Sequence, residues 1–160
     1  MCRIRLICAA LCVCAPVSGQ ATLPTIDVKA IAEVEVTTSQ DGHDVVVLAP
    51  ADRVVPGDAV IYTLEIRNRG AADIVRPVIS RAVPAHMVYV ADSATGPGAE
   101  VTYSVDGGVT FGHPEGLRVM SSEGRSRRAV ASDYTHIRWN LRMTLKSKSV
   151  AYARFRAVVK

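Results

Sequence analysis

Ser104, Asp106 and His113 bring the three side-chain types of a hydrolase triad into one short segment. A triad needs its serine on a strained turn such as a Gly-x-Ser-x-Gly elbow, next to a base that is itself oriented. Ser104 stands instead in Ser104-Val105-Asp106-Gly107-Gly108-Val109-Thr110-Phe111, which has no such context. His43, His86, His113 and His136 are scattered, and no two have the spacing of zinc ligands. Asp58 has only Asp52 as a carboxylate close in sequence, too few for a metal site. The Asp106 loop, where calcium is the minor alternative to a plain hairpin, offers one carboxylate against the six or more oxygens calcium takes. The four cysteines, Cys2, Cys8, Cys12 and Cys14, all precede Ala15, so thiol chemistry is confined to that end. The sequence therefore predicts no catalytic residue, no metal and no cofactor.

The densest cationic group is Arg125, Arg127 and Arg128, in a segment that also holds Glu123-Gly124. Guanidinium forks suit phosphate and carboxylate oxygens, so these three are candidate anion-binding residues for lipid phosphates or acidic glycans. The competing expectation is a solvated loop. The whole chain has a formal charge of +4, and removing the two charges of Arg3 and Arg5 leaves +2. That excess is too small for a nucleic-acid binder.

Arg3 and Arg5 open the chain, an apolar run Leu6–Ala15 follows, and Pro16-Val17-Ser18-Gly19-Gln20-Ala21 closes the segment. A basic start, a short apolar core and a small-residue exit make up a secretory signal peptide. The core is too short to span a bilayer, which takes roughly twenty residues. Cleavage is expected after Gly19 or Ala21. Val13 stands where a small residue precedes a lipidated cysteine, which argues against a lipoprotein. Residues 1–21 thus read as a leader and 22–160 as one exported domain, periplasmic or at the cell surface, with no transmembrane segment after cleavage. Lacking cysteine, that domain must fold on its apolar core alone.

The elements of this domain are written in period two. Ile26, Val28, Ala30, Ala32, Val34 and Val36 alternate with Asp27, Lys29, Glu33 and Glu35, a strand with one buried and one wet face. Asp41-Gly42 signals a turn into a more continuously apolar strand, Asp44–Leu48. Val60, Tyr62, Leu64 and Ile66 alternate next, up to the turn-prone Asn68-Arg69-Gly70. Further strands are expected at Ile74–Ser80, His86–Ala91, Glu100–Val105, Val109–Phe111 and Leu117–Met120. Two more are expected around Ile137, Trp139 and Leu141, and from Ala151 to Val159. The fold class is all-β, an antiparallel sandwich. Trp139, in phase with Ile137 and Leu141, is expected in the core rather than as a ligand platform. His136 shares the polar phase of Arg138 and is expected to be exposed.

Val55-Pro56-Gly57-Asp58 followed by Ala59-Val60-Ile61-Tyr62-Thr63 and ending at Asn68-Arg69-Gly70 resembles the opening of the bacterial conserved repeat domain, the eleventh domain-of-unknown-function family. Val83-Pro84 through Tyr89-Val90 to Ser93-Ala94 is similar to its next segment, and Ile137-Arg138-Trp139-Asn140-Leu141 to its penultimate strand. The likeness covers about 54–159, after an N-terminal extension Thr22–Ala51. Where the family has Leu-x-Pro-Gly, this chain has Leu145-Lys146-Ser147-Lys148-Ser149, a more cationic turn. The resemblance implies an immunoglobulin-like sandwich of secreted or cell-envelope proteins, with a structural or adhesive role, and no catalytic residues. Independently, Pro56 and Gly57 suit a tight turn and Asp58 can accept from nearby N–H groups.

The segment Ser104–Phe111 also looks like the Asp-box hairpin of sialidases, in which the aspartate ties up turn N–H groups. Ser104, Asp106, Gly107, Gly108 and Phe111 are therefore read as structural. The expected function is a non-catalytic module whose partner is an envelope protein or an anionic envelope surface. The alternative is a self-assembling subunit in which Ile26–Val36 adds to a neighbour's sheet edge. Against it stands the simpler expectation that this segment completes the chain's own sandwich.

Overall fold

In a computed structural model, residues 26–160 are described; the expected leader and its cleavage sites lie outside them. Twelve strands follow in chain order. They are β1 (Ile26–Gln40), β2 (His43–Pro50), β3 (Ala59–Asn68), β4 (Ile74–Val75), β5 (Val78–Ala82), β6 (Met87–Tyr89) and β7 (Ala99–Ser104). The rest are β8 (Arg118–Met120), β9 (Ser126–Arg128), β10 (His136–Leu141), β11 (Thr144–Leu145) and β12 (Val150–Val159), with a 3-10 turn at Ala131–Asp133.

The large sheet has the order β2-β1-β3-β12-β6, and a smaller sheet, β5-β10-β7, packs on it. All pairings are antiparallel. Alternation decides which side chains meet between the layers. Leu64 and Ile66 of β3 and Ala151, Ala153, Phe155 and Ala157 of β12 face Ile79, Ile137, Trp139 and Leu141 from the smaller sheet. Small alanines on β12 leave room for Trp139, which is fully buried and sits 6.0 Å from the Phe155 ring. The expected core position of Trp139 and the all-β antiparallel sandwich are what the structure shows. One side of the sandwich is closed by Tyr89 and Tyr103, whose hydroxyls lie 3.0 Å apart, with Tyr134 stacked on Tyr103 at 4.5 Å. Burial pushes the Tyr103 and Tyr134 hydroxyls up, so both stay neutral.

The outer face of β3 is also partly covered. Ile61 and Thr63 are buried there and pair with Arg156 and Arg154, and Arg154 Nε donates to Thr63 Oγ1 at 3.2 Å.

Several expected elements differ. The predicted strand Ile74–Ser80 is two strands, because Pro77 lacks an N–H and the preceding Arg76 takes a positive φ of 49°. Val109–Phe111 is not a strand, since Asp106 holds the Val109 and Thr110 N–H groups in a turn. The segment read as a loop around Arg125–Arg128 contains β9, paired with β8. His136 is half-buried rather than exposed, its ring packed within 3.2 Å of the space a side chain on Gly108 would occupy.

Candidate functional site

Of the two halves of β1, only the first belongs to the sandwich. Ile26–Val34 pairs with β3 in continuous register, from Ile26 opposite Asn68 to Val34 opposite Val60. Glu33–Gln40 pairs with β2 on the other side, from Glu33 opposite Pro50 to Gln40 opposite His43. Beyond Val34, β1 therefore has no neighbour except β2. The two strands run on as a ribbon, about 20 Å long for six residues at strand rise.

The ribbon is closed by Asp41-Gly42, with φ values of 52° and 79°. Positive φ at both central residues makes a type I′ turn, whose twist matches that of the strands. A two-residue hairpin makes Gln40 and His43 a hydrogen-bonded pair, and bonded pairs then recur every second residue. The Ala51 N–H donating to the Ala32 carbonyl at 3.0 Å fits this phase. The main-chain groups of Thr37 and Ser39 on one edge, and of Asp44, Val46 and Leu48 on the other, thus point away from the ribbon. On that outward side none of these has a strand neighbour or a main-chain partner among the described residues.

Both faces of the ribbon carry apolar side chains. Val34 and Val36 lie opposite Ala49 and Val47 on the face continuous with the core, and Val46 and Leu48 lie on the other. Val46 is 62% exposed and Leu48 43%. The sequence does not reveal this exposure. An uninterrupted Val45-Val46-Val47-Leu48 run is what a strand buried on both faces looks like, and Thr37–Gln40 carries no apolar signal at all.

The three candidate anion-binding arginines have different partners. Arg127 forks onto Asp133, with Nη1 at 2.6 Å and Nη2 at 2.8 Å from its two carboxylate oxygens. That guanidinium holds the Asp133 carboxyl below the usual carboxylate range. Arg125 is paired with Glu123. Arg128 faces the opposite side of β9 from Arg127, beside Arg118 across the ribbon, with Nε 3.4 Å from the Pro114 carbonyl.

The motif residues form turn scaffolds. Gly57 has a φ of 98°, and the Val55 N–H donates to Asp58 Oδ2 at 2.8 Å. Asn68 is fully buried; its Nδ2 donates to the carbonyls of Ala72, Leu145 and Lys146, and its Oδ1 accepts from Gly70 N–H at 2.9 Å. It thereby ties the end of β3 to the Leu145–Ser149 turn, which Asp73 also clamps by accepting from Lys146 Nζ and Ser147 N–H, both at 2.8 Å. Asp106 accepts from the Ser104 hydroxyl (2.7 Å), the Thr110 hydroxyl (2.5 Å) and the N–H groups of Val109 and Thr110. These bonds, that of the Thr110 hydroxyl foremost, hold its carboxyl far below the ordinary range. Gly107 and Gly108 take φ values of 79° and 88° and donate to Thr135 Oγ1 and Ser104 Oγ. Phe111 does not sit beneath the turn as a core residue; the Arg138 guanidinium lies 3.5 Å over its ring.

His113 points not to Ser104 or Asp106 but to Glu100, with Nε2 3.1 Å from its carboxylate. Ser104 Oγ is already engaged with Asp106 and Gly108. Among the described residues no group of three or more His, Cys, Asp or Glu is gathered to hold a metal ion. No helix among them is long and apolar enough to cross a membrane. No protein-family model, curated protein or solved structure matches the chain.

Proposed function

We propose that this chain is a non-catalytic, exported sandwich module that works by contact, with a structural or adhesive role in the bacterial cell envelope. The observation that carries the reading is the projecting β1–β2 ribbon, apolar on both faces and unpaired on both edges. An isolated two-stranded hairpin is at best marginally stable in water, whereas three strands with an apolar face are stable. A ribbon of this kind is completed by what it touches. The leader-like residues 1–21 and the resemblance of residues 54–159 to secreted repeat modules support the envelope setting.

Cell fractionation tests the setting. The protein should be recovered outside the cytoplasm, starting at Gln20 or Thr22. Recovery of the full-length chain in the cytoplasm would refute it. For contact, the purified protein should sediment with isolated envelopes. Replacing Val46 and Leu48 by serine should remove that association while the melting temperature stays near the parent's.

A further inference from the structure

The ribbon and the body of the molecule carry opposite charge. Glu35–Pro50 contains Glu35, Asp41 and Asp44 and no lysine or arginine. Including the sandwich half of β1, Ile26–Pro50 sums to −4, whereas residues 51–160 carry +6. The small net charge of the chain conceals this division. Two ribbons laid edge to edge would bring like charges together, so a symmetric ribbon-to-ribbon contact is disfavoured. A ribbon laid on the body of another copy gains from the same charges.

The body has a matching edge. β5 is the outer strand of the smaller sheet, paired only with β10. The bonds from Val83 N–H to the Thr135 carbonyl and from Leu141 N–H to the Pro77 carbonyl set the phase of this pair. The N–H and C=O groups of Val78, Ser80 and Ala82 consequently point outward, and none has a main-chain partner among the described residues. Val78 is 55% exposed, and Arg81 is exposed in the middle of the edge. From Arg76 to Ala91 there is no aspartate or glutamate, and the neighbouring Arg138 lies against Ser80 Oγ at 3.0 Å. Natural edges are protected by length, charge or cover. This one is short, apolar and cationic, open to an acidic apolar strand.

We infer that the acidic β1–β2 ribbon of one copy adds to the cationic β5 edge of a second copy of this chain. Three outward main-chain pairs on β2, at Asp44, Val46 and Leu48, match three on β5, at Val78, Ser80 and Ala82, so the added strand extends the smaller sheet. Val46 and Leu48 come to lie beside the Val78, Ser80 and Ala82 side chains, and Asp44 on the same face as Arg76 and Arg138, while Glu35 stays paired with Arg156 of its own copy. The contact joins two different surfaces, so it either closes reciprocally into a ring or dimer or continues as a filament. This inference rests on the ribbon being the contact element and names the partner it takes.

Proline separates the two sides of the joint. Val46→Pro removes an outward N–H of β2, and Ser80→Pro an outward N–H of β5, each on an edge where proline spares the internal ladder. Light scattering of the purified protein over a concentration series should show association that weakens as salt is raised. Each proline variant alone should weaken it at least about tenfold. Mixed in equal amounts, the two should recover a single joint, because Val46→Pro keeps a working β5 edge and Ser80→Pro a working ribbon. Val46→Lys and Ser80→Lys provide the same pairing of defects should a proline variant fail to fold, which circular dichroism reports. A parent that stays monomeric throughout overturns the inference, as does self-association of Ser80→Pro at parental strength, which would mean ribbon-to-ribbon contact. Ribbon-dependent sedimentation with envelopes by a strictly monomeric protein would overturn the second copy alone. Self-association without any envelope binding would instead sink the envelope role and leave the joint standing.

Discussion

At the scale of single residues, Trp139 and Asp106 make opposite demands on the solvent. Trp139 is fully buried among Phe155 and the β10 neighbours, and its Nε1 has no hydrogen-bond partner. Trp139→Ala should cost about 3–5 kcal/mol in a denaturant melt, as for large aromatic deletions in cores. Trp139→Phe should cost clearly less, because it keeps most of the packing and removes the unsatisfied donor. Asp106 works at the surface, where it organises a turn through two hydroxyls and two N–H groups. Its carboxyl is held below the unfolded value, so its contribution is complete above the ordinary carboxylate range. It is lost as the pH falls from about 4 towards the depressed folded value. The melting temperature should drop over that acid range, and Asp106→Asn should be less stable at neutral pH with a flatter acid limb. Calcium and chelator should leave the Asp106 turn equally stable, since its carboxylate oxygens are already occupied by protein donors. A rise in melting temperature with calcium that disappears in Asp106→Ala would reverse that assignment.

At the scale of elements, β1 is one strand with two environments. Amide exchange should separate them. β3 and β12, and β1 as far as Val34, should be strongly protected, while the outward amides of the ribbon exchange quickly in dilute solution. Protection at Asp44, Val46 and Leu48 should rise with protein concentration, and uniform protection at all concentrations would contradict an open ribbon. The β8–β9 hairpin is a weaker candidate for contact. Arg127 is committed to Asp133 and Arg125 to Glu123, which leaves Arg128 and Arg118 as its uncommitted cations. Replacing Arg125, Arg127 and Arg128 by serine should therefore change the sedimentation of anionic vesicles only slightly. Abolished sedimentation at low salt, in a variant that melts normally, would restore the loop as an anion site. The difference between these two elements was not legible in the sequence. An arginine cluster looks the same whether or not its carboxylate partners, Glu123 and Asp133, fold back onto it.

At the scale of the whole molecule, residues 22–160 hold no cysteine, so reductant should leave the melting temperature of that domain unchanged. Its far-ultraviolet circular dichroism should show the single minimum of sheet without a helical pair. What the sequence determined by itself is periodic. Alternation assigned β1, β3, β10 and β12 and the face on which Trp139, Leu64 and Phe155 lie, because side-chain direction in a strand follows from the pleat. The glycines and aspartates of the turns at Gly57-Asp58, Asp41-Gly42 and Asp106-Gly107 were legible for a similar reason, since positive φ and N–H capture are local demands. Tertiary structure alone decided where the sandwich stops. Val36, Val46 and Leu48 have the composition of core residues, but Val36 runs past the start of β3 at Ala59, and Val46 and Leu48 lie on the sheet face turned away from the smaller sheet. It also decided that β5 is an open edge of the smaller sheet and that the acidic segment projects as a ribbon from the cationic body. Pattern fixes which way a side chain points, but burial depends on whether a distant segment is present to meet it.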